Sequence, residues 1–535
     1  MSSALNFSLW LLAFPSSEYA IYIVLGIFTS ITFIDWTFFL RRGLPPGPRR
    51  LPIFGNVLQV PKSQEWFHWA KFLDKYGPIS SVTVMGQPII ILNNLESMVA
   101  LMDKKSRIYS ERPLAPLAGE LIGWNRQMIL SPVNDHFHTM RRLVAKHIGT
   151  KSSISAVTHV QENYMRLLLA RLLEKPSEYL DSIRLFQGAF FLRISHGYIV
   201  DTTQPDPLVS LIEKAAREFY IATQPGAWLV DIFPSMLKFP RWFPGTKFRQ
   251  VGEKFRKTNE AQANVPYEWV KKQLASGAAL PSFTSGMLQE DTGRVNEEAI
   301  KYVSNTLYGG GTDTISVTVA AFFLAMTIYP EVQQKAQAEI DAVVGTSRLP
   351  NSQDRDSLPY INALMKELLR WHVAGPMGIP HRSSEDAVYN GHFIPKGAIL
   401  LSNLWKVSQD TSHYSDPKTF MPERFLGGNP ELDPHAWAFG FGRRRCPGIE
   451  MADASVFIAV AMILAVFNVG PIINSQTGLS EIPMHAYGTG TVCYPEPFKC
   501  DIKVRSASAE ALIRTICDED QLPSSHIEDI SLYVG

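Results

Sequence analysis

Between positions 19 and 34 the chain reads YAIYIVLGIFTSITFI without a charge, and past Asp35 the apolar character resumes as WTFFL before stopping at Arg41 and Arg42. A bilayer-spanning helix needs roughly 20 apolar residues, so this pattern predicts a transmembrane segment. No basic stretch precedes the run and no A-x-A-like site follows it, which favours a retained signal anchor over a cleaved peptide. The basic pair on its C-terminal side places the rest of the chain in the cytoplasm. Next comes LPPGPRRLPIFGN, whose prolines fix extended backbone and cannot continue a helix. The pattern therefore divides the chain into an anchor (1–42), a proline-rich hinge (43–56) and one large domain (57–535).

Within that domain the period is mostly helical. Apolar positions at helical spacing predict helices over 155–173, 266–276, 297–329, 331–344 and 360–372, and a further long apolar helix follows Pro447. ISSVTVMGQPIIILN predicts two short strands around a Gly-Gln-Pro turn, and AVYNGHFIPKGAILL predicts a hairpin at Asn390-Gly391. Residues 403–442 carry neither period and read as a long irregular stretch. No internal repeat or low-complexity run stands out. The expected class is mainly α with small β-sheets.

Composition changes this picture in two respects. A net charge of +1 gives no global case for a nucleic-acid partner. The four cysteines, Cys446, Cys493, Cys500 and Cys517, are too few and too clustered for a disulfide framework. Cys446 stands in FGFGRRRCPG (439–448), behind three arginines and before a proline that suits a helix start. A small buried hydrophobe is the commonest role of a free cysteine. Against that role, glycines here let backbone approach a ligand, and a helix N-terminus with neighbouring guanidinium groups stabilises a thiolate. Zinc would need a second ligand at the right spacing, and none lies near Cys446. A single thiolate on a planar iron cofactor needs no second protein ligand.

The chain resembles the cytochrome P450 family. That family's haem signature, Phe-x-x-Gly-x-Arg-x-Cys-x-Gly, is matched by Phe439, Gly442, Arg444, Cys446 and Gly448. A five-position match of this kind arises by chance on the order of once in ten thousand chains of this length. KELLR, with Glu367 and Arg370 one turn apart, and MPERF, with Arg424, resemble the family's buried charge triad. LYGGGTDTISVTVAAFF resembles its oxygen-activating helix, with Asp313 and Thr314 at the acid and alcohol positions and Ile315 where a second hydroxyl is frequent. Three glycines inside a helix cost roughly 1 kcal/mol each, so a kinked or widened helix is expected there. In DHFHTMRRLVAKH, Phe137 replaces the family's Trp, Arg141 stands at the propionate-binding arginine, and His138 is a possible helper. His381, in GPMGIPHRSSED, takes a second propionate-binding position. Closer still, YNGHFIPKGAILLSNLWKVSQD and FPRWFPGTKF look like fungal secondary-metabolism members of the O-methylsterigmatocystin oxidoreductase type.

The resemblance implies the cytochrome P450 fold, haem b with Cys446 as axial ligand, and monooxygenation of a hydrophobic small molecule. It also implies electrons from NADPH through NADPH-cytochrome P450 reductase, docking near Arg142, Lys146, Arg443 and Arg445, and a single-pass location in the endoplasmic reticulum membrane. Pocket positions suggested in the same way are Met128, Leu130, Leu307, Ala374, Met377, Ile379 and Tyr487. A haem-thiolate isomerase or dehydratase, or a non-catalytic membrane haem protein, would share Cys446. The first would have no need of the Asp313-Thr314 pair, and a test of oxygen incorporation separates all three.

Overall fold

The computed structural model describes residues 26, 29–30, 43–224, 226–290, 296–519, 525–527 and 530. Almost the whole of the expected anchor lies outside the described residues. After the proline-rich segment, which turns back on itself through a Leu51–Gly55 bridge, α1 (Glu65–Tyr76) stops at Gly77. β1 (Ile79–Val84) and β2 (Gln87–Leu92) pair antiparallel, from Ile79 opposite Leu92 to Val84 opposite Gln87. Their turn is Met85-Gly86, both with positive φ of 50° and 84°. It falls ahead of the expected Gly-Gln-Pro turn because two left-handed residues match the twist of a two-residue hairpin, which leaves Gln87 and Pro88 in the strand.

The helical body follows: α2 (Asp135–Ile148), α3 (Thr158–Glu174), α4 (Tyr179–His196), α5 (Pro207–Thr223), α6 (Lys247–Ser276), α7 (Glu297–Ile328), α8 (Pro330–Val343) and α9 (Pro359–Trp371). Five of the six helices read from sequence period recur within three residues at each end. The exception is α6, which begins at Lys247, with Pro266 inside it rather than at its start. Burial of Phe248, Phe255 and Ala263 on one face holds the helix through the proline.

β3 (His381–Arg382), β4 (Ala387–Tyr389), β5 (His392–Ile394) and β6 (Ile399–Ser402) come next. β6 runs parallel to β2 and antiparallel to β3, giving a sheet ordered β1-β2-β6-β3. β4 and β5 form the expected hairpin, with Asn390 and Gly391 both at positive φ. The stretch after β6 is largely irregular until α10 (Ile449–Val466), after which β7 (Phe467–Gly470) pairs with β8 (Asp501–Val504) and α11 (Ala507–Glu519) closes the order.

Two of these helices, α7 and α10, are long and apolar enough to cross a membrane, yet 78% and 67% of their most apolar windows are buried inside the protein. They are the central core helices, packed on each other and on α2, α4 and α9 through one continuous apolar cluster. One of the three glycines of α7 serves this packing. The helix runs unbroken from Glu297 to Ile328, so the glycines do not end it. A Cβ on Gly311 would collide with the Phe191 ring of α4, whereas Gly309 and Gly310 have open space beside them. The missing side chains make room at this level of the helix.

Candidate active site

Between α7, α10 and the β-sheet lies a cavity of about 510 Å³. Cys446 opens into it. Its N–H donates to the Phe439 carbonyl at 2.8 Å, and the Gly448 N–H points at Sγ from 3.4 Å. Gly442 turns the loop with φ of 54°, and a Cβ there would run into the Met102 carbonyl and Ser106. Pro447 precedes the helix instead of opening it: Gly448 is the N-cap and Ile449 the first helical residue. The cysteine has exposed surface and lines the cavity, while protein packs closely around it. Enclosure pushes the thiol up, against the Gly448 N–H, Arg141 and Arg445, which favour the thiolate.

Beside the sulfur, four basic side chains converge. Arg444 donates to the carbonyls of Ser110, Met128 and Ser131 at 2.8, 3.2 and 2.5 Å, and its guanidinium lies 4.0 Å from the centre of the Phe137 ring. The Phe that replaces the family's Trp thus supplies a cation–π face where an indole donor was lost. Arg141 donates to the Arg445 carbonyl at 2.7 Å, and His381 Nδ1 to the Tyr109 carbonyl at 2.6 Å. The fourth member, Arg112, was not found from sequence. It donates to the carbonyls of Ile129, Ile379 and Pro380 at 2.9, 2.9 and 2.8 Å. Burial, then repulsion from Arg112 and Arg444, holds His381 well below the usual imidazole range, and burial lowers Arg444 to about 10. Among the described residues none of the three arginines has a carboxylate at ion-pair distance. One buried and two partly buried arginines satisfied only by carbonyls, beside an accessible cysteine, fit an anionic planar group such as a haem with two propionates. His138 is exposed on α2 and does not line the cavity.

On the opposite wall Asp313 and Thr314 both face the cavity. The Asp313 carboxylate accepts from Arg184 Nε at 3.1 Å and from the Tyr494 hydroxyl at 3.3 Å, and the Thr314 hydroxyl donates to the Gly310 carbonyl at 2.7 Å. Ser316 donates to Thr312, is buried, and has no access to the cavity. Of the suggested pocket residues, Met128, Leu307, Ala374 and Ile379 line the cavity. Leu130, Met377 and Tyr487 do not; Tyr487 is a core residue whose hydroxyl receives the Val373 N–H at 3.0 Å and donates to the Trp371 carbonyl at 3.2 Å.

Two charge networks brace the cysteine loop. Glu367 receives both forks of Arg370 at 2.7 Å and Arg424 at 3.2 Å, with all three side chains fully buried. Glu431 at 2.6 Å from Arg424 makes the expected triad a charge-balanced tetrad. The second network is centred on His435, whose Nδ1 donates to Asp433 at 2.6 Å and Nε2 to Asp453 at 2.9 Å. Lys366 pairs with Asp433 at 2.7 Å and Arg355 with Asp453 at 3.5 Å, while Arg445 donates to the His435 carbonyl and the imidazole stacks on Phe439.

Burial works against the His435 cation, but the two aspartates outweigh it and raise the group to about 9. Asp433 is lowered because bonds from His435 and Lys366 outweigh its burial. A raised histidine contributes fully below its unfolded value of 6.5 and loses that contribution as pH rises through 9. A lowered aspartate contributes above 3.8 and loses that as pH falls. The brace is therefore complete between these two values, and its loss on the alkaline side amounts to about 2 kcal/mol after allowance for partial exposure. Thermal midpoints of the haem-loaded protein are expected to fall between pH 6.5 and 9.5, and the fall to be flattened in His435→Gln. Parallel profiles for the two proteins would show that His435 is not the titrating group.

The sequence comparisons agree with this geometry. The family described as Cytochrome P450 matches residues 45–499, and the chain belongs to that family. It is 53% identical over 95% of its length to cytochrome P450 monooxygenase claR of Ampulloclitocybe clavipes, covering 95% of that protein. It is 41% identical to cytochrome P450 monooxygenase 208 of Postia placenta, over 92% of this chain and 98% of that one. O-methylsterigmatocystin oxidoreductase of Aspergillus flavus is 36% identical, over 92% and 94% of the two chains. The protein is a cytochrome P450 monooxygenase, and its family implies a haem–thiolate cofactor.

Proposed function

We propose that this enzyme inserts one oxygen atom from dioxygen into an apolar fungal secondary metabolite of terpenoid, polyketide or indole type. The observation that carries the proposal is an accessible Cys446 facing an apolar cavity beside four basic groups without carboxylate partners. Cys446 would be the axial ligand of haem b, and Arg112, Arg141 and Arg444 would hold its propionates, with His381 joining them as the cation that a propionate beside it would favour. When bound, such a cofactor supplies the oxidising chemistry, the thiolate favouring O–O cleavage. Arg184 and Tyr494 hold the Asp313 carboxylate at the cavity wall. The Thr314 proton is committed to the Gly310 carbonyl, so its oxygen lone pairs are left to accept a hydrogen bond from water in the cavity. Asp313 and that water would together carry protons inward.

Replacing Thr314 by Ala keeps the helix and removes this acceptor. Product formed per NADPH consumed is expected to fall at least tenfold, given that a proton-transfer group contributes about 10²–10⁴-fold, while Thr314→Ser restores most of it. An unchanged ratio in Thr314→Ala would leave the hydroxyl as a helix back-bond only. Product oxygen is expected to come from dioxygen, by isotope labelling, and not from water.

Electrons would arrive from NADPH through NADPH-cytochrome P450 reductase. The exposed Arg142, Lys146, Arg443 and Arg445 supply a basic face for it, with Lys146 also 3.5 Å from Glu290. Residues 1–42 would anchor the enzyme by one pass in the endoplasmic reticulum membrane, with the hinge 43–56 holding a cytoplasmic catalytic domain. Trp242, 80% exposed, and Leu58, 82% exposed, would add contacts with the lipid surface. Deleting the first 40 residues should release much of the protein from membranes with the haem spectrum retained; loss of that spectrum would contradict a pure anchoring role.

A further inference from the structure

The roof of the cavity is built from uncharged amides. Gln127, from the loop ahead of α2, donates to Asn259 Oδ1 on α6 at 2.8 Å, and Gln262 donates to the same oxygen at 2.8 Å. Asn305 on α7 donates to Gln127 Oε1 at 3.1 Å, and Asn259 donates onward to the Ile122 carbonyl at 3.1 Å. All four residues are at least 94% buried, and Gln127, Gln262 and Asn305 line the cavity. The bonds leave Asn305 Oδ1 and Gln262 Oε1 without a protein donor, together with one spare N–H on each amide. Neither oxygen is among the described side-chain atoms that are sealed off without a partner, so each remains reachable from the cavity. Buried amides are satisfied in the great majority of proteins. Two carbonyl oxygens open to a largely apolar pocket mark a place where a ligand completes the network.

We propose that these amides form the polar anchor of the substrate pocket, binding a hydroxyl group on an otherwise apolar substrate at the end remote from the carbon that is oxidised. The inference rests on the monooxygenase reading above. A hydroxyl matches the site because it donates to Asn305 or Gln262 and accepts a spare amide N–H, whereas a hydrocarbon leaves both unpaired. Charge is not called for, since none of the four groups is ionisable. Asn305 lies nine residues before Thr314 on one helix, so the anchor stands about 13 Å along the axis from the oxygen-activating level. The substrate therefore spans a distance of that order and reaches this enzyme already oxygenated, which requires an earlier hydroxylating, reducing or hydrolysing step to supply it.

The test uses the haem-loaded full chain and measures substrate-induced Soret shifts with matched pairs: farnesol and farnesene, dodecanol and dodecane, 4-cyclohexylcyclohexanol and bicyclohexyl. In the double variant Asn305→Leu/Gln262→Leu the ratio of alcohol to hydrocarbon affinity is expected to fall about tenfold from its wild-type value, with hydrocarbon binding retained. Should that variant fail to take up haem, Gln262→Met alone must lower the ratio about threefold. An unchanged ratio, or no shift with any pair, overturns the anchor. A protein lacking the thiolate-type carbon monoxide band overturns the haem–thiolate reading instead, so the two failures are told apart.

Discussion

Cys446→His is expected to abolish the red-shifted Soret band of the reduced carbon monoxide complex and to remove all measurable monooxygenation, while the folded protein still binds haem. No other described cysteine opens on this cavity: Cys493 is buried, with its Sγ donating to the Gly490 carbonyl, and Cys500 does not line the pocket. The loop is built to present one sulfur. The Gly448 N–H and the positive ends of Arg141 and Arg445 favour the ionised ligand, opposing the enclosure that disfavours it. An imidazole cannot reproduce this, because it is neutral as a ligand and donates less electron density to iron. Retention of the red-shifted band in Cys446→His would remove Cys446 from the ligand role.

Glu367→Gln is expected to be the most damaging substitution for the fold. Its two oxygens receive Arg370 twice, Arg424 once and the Met421 N–H at 2.8 Å, all in a fully buried setting. Neutralising this carboxylate leaves Arg370 with no carboxylate partner and Arg424 with Glu431 alone, and breaking a buried pair in this way costs about 3–5 kcal/mol. Arg370 and Arg424 also donate to the carbonyls of Ser408, Ser415 and Pro417, so the irregular stretch that leads to Cys446 loosens with them. Most of the protein should be recovered without haem. Glu423→Gln is the contrast: this more exposed residue pairs with Lys335 at 2.6 Å and Tyr360 at 3.0 Å, and its loss should cost at most about 1 kcal/mol. Equal denaturation midpoints and haem yields for the two variants would show that the tetrad does not hold the loop.

Local chemistry was legible along the chain. FGFGRRRCPG declares its cysteine because backbone conformation, charge and helix start are all encoded within ten residues. Helix α7 is readable because an apolar face of that length has no other use, and Glu367 with Arg370 because i,i+3 neighbours share a helix face. The Asn390-Gly391 hairpin is equally local. Where a local rule misled, packing had overruled it. Pro266 reads as a helix start, yet buried aromatics upstream carry α6 through it.

What the sequence by itself determined is therefore the loop that carries Cys446, the class of fold and the family, since each is written in short motifs along the chain. Only the tertiary structure decided what surrounds them. Arg112 and Arg184 come from segments with no distinguishing period, and Arg184 meets Asp313 across 129 residues of chain. Glu431 and His435 lie in irregular backbone whose hydrogen bonds are satisfied by distant partners, and the roof amides join three elements separated by as many as 178 residues. Such groups acquire a function only when folding removes water from around them, because a polar side chain in solvent is indistinguishable from its neighbours. Burial is the step that turns an ordinary Asn or Arg into a site, and burial is a property of the whole chain.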